Sequence, residues 1–134
     1  MLHSKNILVP ANTKETVPVE TRFLVNKGVI YRAWVTFPAG CAGLVKIRIF
    51  HKGHPFLPVE SDAYIRGDNF VFVYPVMYEI KDVPEQILIK AWNEDDIYPH
   101  TIDIQFLIID KQWVQPIGAY EGVIASMRSL FAKR

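Results

Sequence analysis

The chain has 134 residues, half of them hydrophobic and 13% aromatic, with a formal net charge of +1. That length suits one domain with its own core, and the hydrophobic share excludes a disordered chain. The near-zero charge supplies no long-range field to attract nucleic acid, and the single cysteine, Cys41, excludes an internal disulfide and a multi-cysteine zinc site.

In chain order, residues 6–9 read as a short strand stopped by Pro10, and the polar stretch 12–16 follows. Residues 1–16 are therefore expected to form an N-terminal arm able to add a strand to a neighbour's sheet. A second strand is expected over 19–25 and a third over 29–37; Asn26-Lys27-Gly28 between them reads as a turn, which predicts a hairpin. Pro38-Ala39-Gly40 breaks the pattern, with Cys41 beside it as a small turn or packing residue rather than a reactive thiol. Residues 44–50 then resume as a strand, because Val45, Ile47 and Ile49 alternate with Lys46 and Arg48. Residues 51–69 are loop-rich, and 70–80 are apolar but interrupted by Pro75, as in two short strands or a bulged edge strand. Strands over 87–92 and 101–109 complete the set, the latter alternating Ile102, Ile104 and Phe106 with Asp103 and Gln105. Seven to nine such segments punctuated by Pro and Gly predict an all-β antiparallel sandwich, jelly-roll or immunoglobulin-like, over residues 17–110.

After Pro116 the period changes. Val123, Ile124, Met127, Leu130 and Phe131 form one stripe of an amphipathic helix over 120–133, on a linker that starts at residue 111. A helix of about three turns is marginal alone, so its stripe needs cover from its own sandwich or from a neighbouring subunit. The N-terminus lacks a basic start followed by a long apolar stretch, and apolar runs such as 106–109 are far too short to span a bilayer. The expectation is a chain made in the cytosol with no signal peptide, which reaches its final place free or inside an assembled particle.

No local nucleophile motif surrounds His3, His51, His54 or His100, and Glu60, Asp62, Glu94, Asp95 and Asp96 lie in expected loops, so a non-enzymatic protein without a cofactor is expected. His51, His54 and His100 are the residues a cupin-like metal site would use. The run Asn93-Glu94-Asp95-Asp96 offers hard oxygen ligands for calcium, but lacks the spacing and central glycine of a calcium loop. Surface contacts are better supported. On 29–37 one face carries Ile30, Arg32, Trp34 and Thr36, and on 87–92 one face carries Leu88, Lys90 and Trp92. Tryptophan mixed with arginine and aliphatics suits a surface covered in an assembly, with Trp34, Arg32 and Trp92 in the interface and Ile124, Met127, Leu130 and Phe131 docking on a partner. An aromatic platform of this kind also suits a carbohydrate-binding module, and in a sandwich a tryptophan can equally belong to the core.

Two blocks carry a family resemblance: Phe37-Pro38-Ala39-Gly40-Cys41-Ala42-Gly43-Leu44-Val45-Lys46-Ile47 and Lys90-Ala91-Trp92-Asn93-Glu94-Asp95-Asp96-Ile97-Tyr98-Pro99-His100-Thr101. They resemble small all-β accessory proteins of tailed-phage and prophage virions, of which the head-decoration or cement proteins are the nearest functional class. The resemblance implies a sandwich that clamps capsid subunits as a homo-oligomer, in the virion, and it implies no catalytic residues.

Overall fold

The computed structural model describes residues 1–81 and 85–114. Among these residues it contains nine strands: β1 (Leu2–Val9), β2 (Val19–Val25), β3 (Gly28–Phe37), β4 (Val45–His51), β5 (His54–Leu57), β6 (Ile65–Arg66), β7 (Phe70–Ile80), β8 (Glu85–Asn93) and β9 (His100–Ile109). They form two antiparallel sheets. The first runs β1-β9-β3-β7; the second runs β2-β8-β4-β5, with β6 also paired to β4. This is the expected all-β sandwich. One helical turn at 111–114 follows β9. No helix among the described residues is long and apolar enough to cross a membrane. The amphipathic stripe at 120–133, with Ile124, Met127, Leu130 and Phe131, lies outside the described residues.

Strand alternation builds the core. The first sheet sends in Ile7, Val9, Ala33, Val35, Phe37, Ile102, Ile104 and Phe106; the second sends in Phe23, Val25, Val45, Ile47, Ile49, Ile87, Ile89 and Ala91. These positions are rich in β-branched residues, which fit a pleated and half-buried surface. Each fully buried Ile or Phe contributes about 1.5–3 kcal/mol of transfer free energy. Phe23 meets Phe106 edge-on across the sheets, with ring centroids 5.1 Å apart.

Three expectations are corrected. First, β2 and β3 are not a hairpin: β2 pairs with β8 in one sheet, and β3 with β7 and β9 in the other. Asn26-Lys27-Gly28 is a corner where the chain crosses between layers. A Cβ on Gly28 would stand 2.8 Å from the Ile109 carbonyl oxygen, so the corner closes only around glycine. Second, residues 1–16 are not a detached arm. All eight residues of β1 pair with β9, and Ile7 and Val9 enter the core. The Asn12 amide and the Thr13–Asn93 bridge fasten the chain beyond Pro10. Third, Ile30 does not share the outer face of Arg32, Trp34 and Thr36. The register of β3 shifts between Ile30 and Arg32 against both neighbours, and this bulge turns Ile30 fully into the core. The apolar segment interrupted by Pro75 is one bulged edge strand, β7, with Pro75 opposite Arg32.

Candidate functional site

The side chains that do not enter the core form two outer faces of different chemistry. On the first sheet, register aligns Leu2 with Leu107, Leu107 with Arg32, and Arg32 with Pro75. In adjoining rows Trp34 lies between Gln105 and Val73, and Thr36 between Asp103 and Val71. Leu2, Val71, Val73 and Pro75 are exposed, while Trp34 and Leu107 are half-buried. The polar members are partly satisfied among themselves: Asp103 accepts hydrogen bonds from Ser4 Oγ at 3.4 Å and Gln105 Nε2 at 3.2 Å.

This face runs out onto the free edge of β7, where Phe70, Val71, Val73 and Met77 are each about half exposed. From Phe70 to Tyr78 the strand carries no charged residue. The other sheet edges are guarded. β1 carries Lys5, β2 carries Glu20 and Arg22, and β5 is four residues long with Pro55. Charge, brevity, bulges and proline are the usual means of keeping a sheet edge from pairing; β7 has Pro75, the bulge beside it and Glu79 near its end, and leaves the run from Phe70 to Tyr78 uncharged.

On the second sheet the outer positions are Glu20, Arg22 and Leu24 on β2, Leu88, Lys90 and Trp92 on β8, and Lys46, Arg48 and Phe50 on β4. Trp92 is only 3% exposed, because Tyr64 packs edge-on against its ring at 5.8 Å. Lys46 is paired with Glu94 and also sits 4.8 Å from the Tyr64 ring centroid. Trp34 and Trp92, expected to serve one interface, therefore stand on opposite outer faces; Trp34 and Arg32 do share a face.

The titratable groups of the sandwich end are used structurally. Buried Asn93 donates from Nδ2 to the carbonyls of Val9 (3.3 Å) and Tyr98 (2.9 Å), and its Oδ1 accepts the Asp95 amide. Asp95 Oδ1 accepts the amides of Ile97 and Tyr98, and Oδ2 accepts from His100 Nε2 at 2.9 Å. The His100 hydrogen bond, followed by the two amides, holds the Asp95 carboxyl below the usual aspartate range. Both oxygens of Asp95 are thus engaged by protein donors, and Glu94 faces Lys46. Cys41 is buried; burial and then the carboxylates of Asp68 and Asp95 push its thiol up, the reverse of an activated nucleophile.

His51 and His54 close the β4–β5 hairpin, with His51 Nδ1 hydrogen-bonded to the Tyr78 hydroxyl at 2.7 Å; His100 belongs to the first sheet. Among the described residues no three His, Cys, Asp or Glu side chains form a group able to hold a metal ion. The two blocks that carry the family resemblance meet in space: the Glu94 amide donates to the Leu44 carbonyl, and His100 lies beside Gly40.

The surface that sequence reasoning missed is Leu2, Val71, Val73 and Leu107. Its available signal was the uncharged run from Phe70 to Tyr78, which is long for a strand with one solvent-facing side.

No protein-family model matches this chain, and no curated protein matches it. Among solved structures, the crystal structure of FlhE is similar over 78% of this chain and 91% of that chain, with a TM-score of 0.36 and 9% identity.

Proposed function

We propose that this protein is a non-enzymatic binding component that assembles through the outer face of its first sheet and the open edge of β7, forming a homo-oligomer within a larger particle. Capsid decoration, the role implied by the family resemblance, is the specific form of this reading. One observation carries it: the uncharged run Phe70–Tyr78 of the edge strand is continuous with an outer face on which Trp34, Val71, Val73 and Leu107 stand among Arg32, Asp103 and Gln105. An edge strand can pair with its own copy across a two-fold axis, which makes the contact self-complementary and supplies backbone hydrogen bonds. Apolar side chains flanking the strand then exclude water from the joint. The net charge of +1 opposes such association only weakly.

The test is the solution mass of the full chain by light scattering behind a sizing column, for the unaltered protein and for Val73→Lys. A discrete dimer or larger symmetric cluster that becomes monomeric in the variant, with unchanged cooperative unfolding, is the expected result. A monomer at every accessible concentration would overturn the proposal, as would an oligomer indifferent to the substitution.

A further inference from the structure

The outer face of the second sheet holds an arrangement that fold stability alone disfavours. Arg48 on β4 and Lys90 on β8 are direct cross-strand partners. Like charges so placed repel. Both also lean on one ring: the guanidinium carbon of Arg48 lies 5.1 Å from the Phe50 centroid, and Lys90 Nζ lies 4.9 Å from it.

Among the described residues neither has a carboxylate partner. Glu20 is opposite Lys90 in register on the far side, but its carboxylate lies 3.6 Å from Arg22 instead. Arg48 gives one Nη2 hydrogen bond, at 3.2 Å, to the Glu60 carbonyl, and its Nε is buried with no acceptor. A buried donor on a charged group without an acceptor is costly, and natural proteins leave few of them.

These two cations line a cleft of about 160 Å³ together with Phe50, Trp92, Pro18 and the exposed Glu15. We infer that this cleft binds a compact oxyanion, a phosphoryl group or the carboxylate of an acidic sugar, between Arg48 and Lys90. Such a group supplies acceptors for the Nη donors of Arg48 and for the Lys90 ammonium, and the guanidinium fork suits planar or tetrahedral oxyanions. It also neutralises the Arg48–Lys90 repulsion. Pro18, Phe50 and Trp92 give the cleft apolar walls that accommodate the carrier's carbon skeleton. Glu15 opposes the anion and sets the affinity low. The site faces away from the first sheet, so it stands independently of the assembly surface.

The experiment is a two-dimensional amide NMR titration of the full chain at low ionic strength, with inorganic phosphate, glucuronate and glucose as separate probes. The expected result is saturable shifts confined to β4 and β8 around Arg48 and Lys90 with one or both anions, and none with glucose. The tighter of the two anions identifies the carrier as phosphorylated or as an acidic sugar. Lys90→Gln and Arg48→Gln each weaken binding about tenfold, as loss of one charge-assisted hydrogen bond requires. Glu15→Gln tightens it a few-fold, roughly the effect of one screened nearby charge, and Val73→Lys leaves it unchanged. Absence of shifts with both anions overturns the inference. So does a response that survives in both folded Gln variants, or one that glucose reproduces.

Discussion

The two outer faces of this sandwich obey the same alternation and end with opposite chemistry. On the first sheet the outward positions around Trp34 are Val73, Gln105, Arg32 and Thr36, with Leu107 on the diagonal, and the face reaches a strand edge with no charge from Phe70 to Tyr78. On the second sheet the outward positions include Arg22, Lys46, Arg48 and Lys90, its tryptophan is largely covered by Tyr64, and its edge strand β2 is charged. Strand periodicity decides which residues leave the core. It does not decide what they meet outside. Exposed apolar residues beside an edge with a long uncharged run invite another protein surface, whereas crowded cations over an aromatic ring invite an anion.

The comparison is broken most forcefully at Val73. A lysine there would place an unpaired charge in the proposed joint, so Val73→Lys is expected to weaken the proposed self-association about a hundredfold or more. Its own folding stability should move by no more than about 0.5 kcal/mol, because the position is half exposed. Chemical denaturation together with light scattering checks both parts.

Next in size is Gly28→Ala, at the crossing that fixes one sheet against the other. The added methyl meets the Ile109 carbonyl oxygen, a backbone atom that cannot turn aside. The expected loss is about 1–3 kcal/mol, read as a lower denaturant midpoint, and both faces should be disturbed together.

Acid tests the other crossing, from β8 to β9. Asp95 titrates below its ordinary range in the folded state because it accepts from His100 and from the Ile97 and Tyr98 amides. A depressed folded pKa gives stability that is present above the unfolded value and lost as pH falls through the folded one. The denaturant midpoint should therefore fall on acidification from about pH 5 to about pH 2, and fall less steeply in Asp95→Ala.

The smallest effect sharpens the contrast most. Lys90→Gln removes a cross-strand repulsion and should stabilise the fold by about 0.2–1 kcal/mol while weakening anion binding. A loss of stability of that size would mean that Lys90 serves the fold rather than a ligand.

Strand existence was legible because period-two patterns such as Val45-Ile47-Ile49 and Ile102-Ile104-Phe106 are local. Strand pairing was not. Asn26-Lys27-Gly28 has the turn chemistry of a hairpin, and the same chemistry serves a corner between layers; the choice rests on β8 and β9, some sixty residues or more downstream. The polar stretch His3-Ser4-Lys5 hid the first half of β1, since an edge strand tolerates polar residues on both sides. The outward placement of Arg32 and Trp34 followed from alternation, but the bulge that buries Ile30 left no local signature. Trp92 was placed on its correct outer side, yet nothing local to it showed that Tyr64 covers it or that Trp34 belongs to the opposite layer. The Arg48–Lys90 pair needed the β4–β8 register, which is long-range by nature.

The chain's habit of changing layers has a kinetic consequence. Apart from β4, β5 and β6, successive strands lie in alternate sheets, so the β4–β5 hairpin is the one tight local pairing among the described strands. Every other ladder closes a long loop before it gains a contact, and such topologies fold in about milliseconds to seconds rather than microseconds. During that interval the uncharged run Phe70–Tyr78 stays unpaired until β3 closes on it, a bare template in the folding chain. Refolding yield should therefore fall steeply with protein concentration, and a lysine at Val73 should restore it even as it breaks the proposed oligomer.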